Sequence, residues 1–229
     1  SGAGMLCYPG LVNTHHHLYQ YFSRNLPGVQ NMELFDWLRA LYEVWKNLDR
    51  EVVRDSSLCA LGELAKNGCT TCFDHHYVFP KSAGERLIDA QFEAASALGI
   101  RMHASRGSMS LSKKDGGLPP DSVVQTVDEI LEGSRRAIET CHDASPFSMR
   151  QVALAPCSPF SVTTDLLTES VVVDLSARGT TNAGQICPTE SSNAGSAINV
   201  LPESALVLTT ARNSPLKSRV SMLRRCSGV

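Results

Sequence analysis

The residues best suited to chemistry are His15 and His17, which end a short apolar stretch near the start of the chain. Leu11 and Val12 follow a Pro-Gly pair and predict a short buried strand. Alternate side chains of a strand share a face, so His15 and His17 project together while His16 points the other way. Two imidazoles on one face suit zinc, iron, nickel or copper. Since a catalytic zinc normally takes three protein ligands and a water, the pair predicts an incomplete metal site.

Two simpler interpretations of the histidine triplet are open. Three consecutive histidines can lie in a solvated loop or belong to a purification tag, and His-x-His is common by chance. A tag, however, sits at a terminus among small polar residues, whereas this triplet follows an apolar segment and precedes Leu18 and Tyr19. We therefore favour the metal-ligand interpretation.

Size and charge limit the classes of protein to consider. The 229 residues are 42% hydrophobic, which is ordinary for one large or two small globular domains. A formal net charge of −2 gives no electrostatic reason to expect nucleic acid or an anionic membrane as a partner. Without a long apolar run or a signal-peptide pattern, the sequence predicts a soluble, cytoplasmic protein.

The eight cysteines are scattered and mostly lie in apolar segments, which is typical of reduced, buried thiols. Only Cys69 and Cys72 have the Cys-x-x-Cys spacing of redox or zinc sites. No second pair with zinc-ribbon spacing accompanies them, and they follow the helix stop at Gly68. We favour thiols at a strand entrance over thioredoxin-like chemistry.

The elements that must position these residues alternate between strand and helix. Further strands are predicted at Cys69–Asp74, Ile100–Ser105 and Val152–Pro156. Helices are predicted from Glu33, over Arg50–Asn67, over Arg86–Leu98 before Gly99, from a capping box of Ser122 and Gln125, and from a Thr164 cap with Asp165 in the first turn.

This alternation predicts an α/β fold with a parallel sheet and helices outside it. No Gly-x-Gly-x-x-Gly follows the first strand, and polar residues end several strands, so an eight-stranded barrel is favoured over a doubly wound sheet. Residues 1–179 are predicted to be the first four βα units, about half of a barrel of about 250 residues. The loop 106–120 is either part of a site or a surface turn.

Several motifs resemble one family. The segment 9–20, with its His-x-His, looks like the first barrel strand of the amidohydrolase superfamily, in the branch of aromatic deaminases and triazine hydrolases. The segments 74–80, 106–110, 116–122 and 155–162 resemble 8-oxoguanine deaminases. The resemblance extends from about residue 6 to about residue 170.

The resemblance implies a (β/α)8 barrel and a hydrolytic deaminase of purine-like or triazine-like small molecules. It implies one divalent ion, zinc first and Fe²⁺ as the alternative, held by His15, His17 and ligands from later strands. It also makes Gln20 a candidate for hydrogen bonding to the edge of the substrate base. A glutamine at the surface or bridging a loop is an equally good interpretation.

Three further residues are substrate-binding candidates for which a structural role has the stronger claim. Trp37 walls the pocket in related hydrolases but is core filler by its spacing. His75 is a pocket candidate that a loop explains as well. Cys157 ends the fourth strand, where a buried thiol is the simpler interpretation.

Residues 180–229 depart from the family pattern. This segment is small, polar and then basic, without aromatic residues or histidine, and the family's later histidines, glutamate and aspartate have no matching positions. The catalytic acid and base therefore cannot be named. The alternative function is a non-catalytic, truncated or frame-shifted fragment that binds metal weakly. Open sheet edges in a half-barrel favour association, so we expect a homo-oligomer.

Overall fold

The computed structural model of the chain describes residues 3–84, 86–158 and 160–177. Its strands are β1 (Leu11–His16), β2 (Cys69–His76), β3 (Arg101–Ser108) and β4 (Arg150–Pro156). They form one sheet in the order β1-β2-β3-β4, and every neighbouring pair is parallel. Each strand therefore lies beside the next one along the chain, as in a βα barrel, and this confirms the predicted parallel βα alternation.

Five α-helices lie within the described residues. They are α1 (Leu34–Trp45), α2 (Arg50–Lys66), α3 (Leu87–Leu98), α4 (Val127–Cys141) and α5 (Thr164–Ala177). The side chain of Asp49 caps α2 by accepting from the Val52 amide at 2.8 Å. Gly99 ends α3 in the left-handed conformation, with φ at 68°, as its position after the apolar pattern predicts.

The core lies between the helices and one face of the sheet. Along β2, Cys72, Asp74 and His76 are buried, whereas Phe73 and His75 are only partly buried. Gln91 of α3 reaches Asp74, so the buried face is the one that the helices cover. The other face, which in a closed barrel is the interior, carries His75.

The prediction that β1 is buried is wrong. Leu11 is 63% exposed and Val12 is 60% exposed. Within the described ranges β1 is an edge strand whose only sheet neighbour is β2, so its side chains lack contacts from a second strand. The apolar residues predict a strand here, but they do not reveal whether a second strand lies beside it and buries its side chains.

Two predicted helix starts are also wrong. Ser122 lies in a short 3-10 turn, and α4 begins five residues later behind a capping box of Thr126 and Glu129. Gln125 cannot reach back to Ser122 because its Oε1 accepts a hydrogen bond from buried Arg106 at 2.8 Å. Thr164 is already the first residue of its helix, although Asp165 does lie in the first turn as predicted.

β2 and β3 extend further than predicted. His75 and His76 are paired with Ser105 and Arg106, so the two histidines belong to the strand rather than to a loop. The pairing of β3 with β4 continues to Ser108, and the long loop therefore starts after Ser108 instead of at Arg106. Polar residues marked the predicted ends, but the parallel ladder of backbone hydrogen bonds continues through them.

The described cysteines are all free thiols. Cys69, Cys72 and Cys141 are buried, Cys157 is half-buried, and Cys7 and Cys59 are exposed. The remaining two cysteines, like the whole predicted segment 180–229, lie outside the described residues. Among the helices that are described, none combines the length and apolarity that crossing a bilayer requires.

Candidate metal and substrate site

Three histidines meet where the carboxyl ends of β1 and β2 lie side by side. The Nε2 atoms of His15 and His17 are 3.2 Å apart. The ring centre of His75 lies 4.4 Å from that of His15 and 5.8 Å from that of His17. The structure thus brings the predicted histidine pair together and adds His75 to it.

A backbone group of β2 fixes the ring of His17. Its Nδ1 atom lies 2.7 Å from the carbonyl oxygen of His75. A carbonyl can only accept, so Nδ1 carries the hydrogen and Nε2 presents its lone pair toward His15. Burial lowers the pKa of His17 to about 4, against the effect of this bond, so the ring is neutral at pH 7.

The geometry of the pair is suitable for a shared ion. Two nitrogens at about 2.1 Å from a tetrahedral zinc are about 3.4 Å apart, close to the 3.2 Å between the Nε2 atoms of His15 and His17. Metal-binding histidines usually donate their other ring hydrogen to a carbonyl or carboxylate, as His17 does. Residues 3–84, 86–158 and 160–177 contain no group of three or more His, Cys, Asp or Glu placed to hold an ion. Within these residues the two histidines are candidate ligands that do not make a complete site by themselves.

Asp74 lies fully buried directly behind this pair. Its Oδ1 accepts from the backbone amide of Leu18 at 2.6 Å, and its Oδ2 accepts from Nε2 of Gln91 at 2.6 Å. Burial raises its pKa to about 7, although both hydrogen bonds act in the opposite direction. Asp74 was not among the predicted site residues, although an acidic residue within an apolar strand is a signal that could have found it.

Two tyrosines pack edge-on against His17. The ring centres of Tyr19 and Tyr77 lie 6.2 Å and 5.6 Å from that of His17, and 5.8 Å from each other. Burial raises the pKa of both phenols, so both hydroxyls are neutral. Tyr77 was not among the predicted site residues, because nothing in its own spacing distinguishes it from a core aromatic.

The structure places the other predicted substrate residues at different distances from the histidines. Gln20 is half-buried, one 3-10 turn after His17, and its Nε2 donates to the Tyr19 hydroxyl at 3.1 Å. Trp37 packs against Trp45, which contacts Tyr19, so two rings separate Trp37 from His17.

Cys157 directly follows β4. Its amide donates to the Ser108 carbonyl at 2.9 Å, which keeps it level with the end of β3. Burial raises the pKa of its thiol to about 11. The thiol is close enough to Tyr77 to raise the pKa of that phenol. The structure thus connects Cys157 with the aromatic surroundings of His17.

Parallel βα units in the order β1-β2-β3-β4, with polar side chains at the carboxyl ends of the strands, are typical of barrel enzymes. Within that class, the amidohydrolase family model matches residues 6–185, so the chain belongs to the amidohydrolase family. This confirms the family resemblance and the barrel type of fold.

Two relatives share about three quarters of this chain. The chain is 48% identical over 165 residues to the 8-oxoguanine deaminase of Pseudomonas aeruginosa, covering 72% of this chain and 36% of that protein. It is 39% identical over 169 residues to the hydroxydechloroatrazine ethylaminohydrolase of Pseudomonas sp. (strain ADP), covering 73% and 35%. The chain thus spans about a third of the length of these relatives.

A solved relative has the same fold. The zinc complex of the atrazine chlorohydrolase TrzN from Arthrobacter aurescens TC1 superimposes with a TM-score of 0.69 at 32% identity, covering 75% of this chain and 39% of that one. The four described βα units therefore correspond to part of a longer barrel.

Proposed function

We propose that this chain contributes the first half of the active site of a metal-dependent hydrolytic deaminase. The observation that carries the proposal is the convergence of the His15 and His17 Nε2 atoms at 3.2 Å, with His17 held by a carbonyl of the neighbouring strand. The 48% identity to an 8-oxoguanine deaminase supports a purine-like substrate whose ring loses an amino group as ammonia.

His15 and His17 hold the divalent ion in this proposal. Zinc is the first choice because a structurally similar relative was solved with zinc, and Fe²⁺ is the alternative. A divalent ion, when bound, supplies a water that ionises near neutral pH. The described residues of one chain do not complete the ligand set of such an ion.

The neighbouring side chains bind and orient the ring. Gln20 can accept from and donate to a lactam edge with its amide, of which Nε2 already contacts Tyr19. Burial lowers the pKa of His75 to about 3, so it acts as a neutral hydrogen-bonding partner rather than a cation. Cys157 and Trp37 are proposed as pocket walls, Cys157 beside Tyr77 and Trp37 behind the Tyr19 and Trp45 rings.

A non-catalytic fragment is the second candidate. It is favoured by the ligand count, since the described residues provide only the pair of His15 and His17. Such a protein binds metal weakly through His15 and His17 and turns nothing over. We also propose that two copies of the chain associate, which could add metal ligands from the second copy to the His15 and His17 pair.

The test combines metal content with product release. The purified 229-residue chain is analysed for bound metal and assayed for ammonia release from 8-oxoguanine, beside His17→Asn and the neighbouring control His16→Asn. The deaminase proposal predicts about one metal per chain and ammonia release, both lost in His17→Asn and kept in His16→Asn. Absence of ammonia release overturns the enzyme proposal whether or not metal is bound, and loss of the metal as well supports the weakly binding fragment.

A further inference from the structure

The carboxylate of Asp74 connects three elements of the fold. Oδ1 accepts from Leu18, the first residue of the 3-10 turn Leu18–Ser23 that follows β1, and Oδ2 accepts from Gln91 of α3. Asp74 itself is in β2, and all three side chains are fully buried. Both hydrogen bonds are short, at 2.6 Å.

The bond to Leu18 acts on His17 through the peptide group that the two residues share. His17 leaves the extended conformation, with φ at −131° and ψ at 81°, and the first amide of the turn that follows has no partner within the turn. Asp74 accepts from that amide. One residue further along β2, the carbonyl of His75 holds the ring of the same histidine. Consecutive residues of β2 thus fix the backbone and the side chain of His17.

We infer that Asp74 is a positioning residue, which holds His17 at its 3.2 Å separation from His15 by fixing the Leu18 amide. The inference rests on the proposed metal role of the histidine pair and adds a residue on a second strand to it. If Asp74 is purely structural, losing its bond to Gln91 and losing its bond to Leu18 should affect the histidine pair equally. If it positions His17, only the loss of the bond to Leu18 should affect the pair.

Three substitutions separate these roles. Asp74→Asn keeps one oxygen for Leu18, and the buried Oε1 of Gln91, which lacks a hydrogen-bond partner, can turn to accept from the new amide. Asp74→Val fits a strand but removes both bonds. Gln91→Met removes only the bond to α3 and keeps the one to Leu18.

Zinc affinity is measured by competition with a chelator, and the free energy of unfolding is measured beside it. We expect Asp74→Val to weaken zinc binding about 10- to 100-fold, the range found when partners of metal ligands are removed. We expect Asp74→Asn and Gln91→Met to stay within about 3-fold of the wild type, even where Gln91→Met lowers stability. Equal losses of affinity in Asp74→Val and Gln91→Met, or no loss in Asp74→Val, would overturn the inference.

Hydrogen exchange in the wild-type chain tests the tether without any substitution. The Leu18 amide should exchange slowly, at the rate of strand amides in the core. Exchange as fast as an exposed amide excludes the tether, even if Asp74→Val fails to fold. If the wild type takes up no zinc, the proposed function is refuted instead. The inference about Asp74 is then tested by the ¹⁵N chemical shifts of the His17 ring. A smaller change in Asp74→Asn than in Asp74→Val supports the inference, and equal changes overturn it.

Discussion

The Nδ1 atom of His17 lies 2.7 Å from the carbonyl oxygen of His75, so a backbone group of β2 sets the tautomer of the side chain that directly follows β1. We expect the neutral ring of His17 to carry its hydrogen on Nδ1 in the metal-free chain, because the carbonyl can only accept. Long-range ¹H–¹⁵N NMR of the histidine rings distinguishes the two tautomers.

His142 provides an internal control for this measurement. Its Nδ1 accepts from the Val152 amide at 3.1 Å, so its neutral ring must carry the hydrogen on Nε2. The two histidines should therefore give opposite tautomer patterns in one spectrum. The same pattern for both would contradict the geometry at His17.

Gly107 allows the close approach of β2 and β3 beside Tyr77. A Cβ atom at Gly107 would lie 2.5 Å from the His76 carbonyl oxygen and 2.6 Å from the Tyr77 Cβ. Gly107→Ala should therefore lower the free energy of unfolding by about 1–3 kcal/mol, as overpacked sites do. Urea unfolding measures the change.

The control for Gly107 is Gly62 in α2, where an added Cβ meets no atom within 4 Å. Gly62→Ala should raise stability by about 0.5–1 kcal/mol, because alanine is the better helix former. If Gly107→Ala is as stable as Gly62→Ala, β3 does not approach His76 and Tyr77 as closely at Gly107 as the structure shows.

The parts of the fold that depend on local signals could be predicted from the sequence. Gly68 and Gly99 end helices because they adopt positive φ, at 85° and 68°. The exposure of Leu11 could not be predicted, since it depends on whether another strand lies beside β1. The start of α4 was missed because buried Arg106, distant in sequence, competes for Gln125.

The capping box of α4 offers a direct test of that helix start. Thr126 accepts from the Glu129 amide, and the Glu129 carboxylate accepts from the Thr126 amide at 2.8 Å. Thr126→Ala should cost about 0.5–2 kcal/mol of stability. Ser122→Ala, at the position that the sequence favoured, should change it by less than about 0.5 kcal/mol. A larger loss in Ser122→Ala would place the helix start there instead.

The candidate site was predictable only where its residues are close in sequence. His15 and His17 follow from the alternation of a single strand. His75 joins them because β1 and β2 lie side by side, which a single strand's pattern does not reveal. Asp74 and Tyr77 depend on the same long-range pairing, since their partners Leu18 and His17 lie on the segment ending β1.

Cys157 should react slowly with iodoacetamide. Burial raises its pKa to about 11, so about one thiol in a thousand is ionised at pH 8, and the thiolate is the nucleophile. Cys59, exposed on α2, serves as the reference in peptide mapping of the same sample. We expect alkylation of Cys157 to be at least about 10-fold slower than that of Cys59. Equal rates would mean that the Cys157 thiol is not enclosed beside Tyr77.

Asp74 should make the stability of the chain depend on pH. Its pKa rises from an ordinary 3.8 to about 7 because burial disfavours the charged form. Between these values the folded state holds a proton that the unfolded state has lost. The contribution of Asp74 is therefore most favourable below about pH 4, falls by up to about 1.4 kcal/mol per pH unit toward pH 7, and is constant above it.

The difference in unfolding free energy between the wild type and Asp74→Asn isolates this effect, because other titrating groups are common to both chains. Urea unfolding at pH 4.5, 5.5 and 6.5 should show the wild type losing stability relative to Asp74→Asn as the pH rises. A difference that stays constant over this range would mean that Asp74 ionises at its ordinary pKa. The hydrogen bonds from Leu18 and Gln91 would then fully offset the effect of burial on the carboxylate.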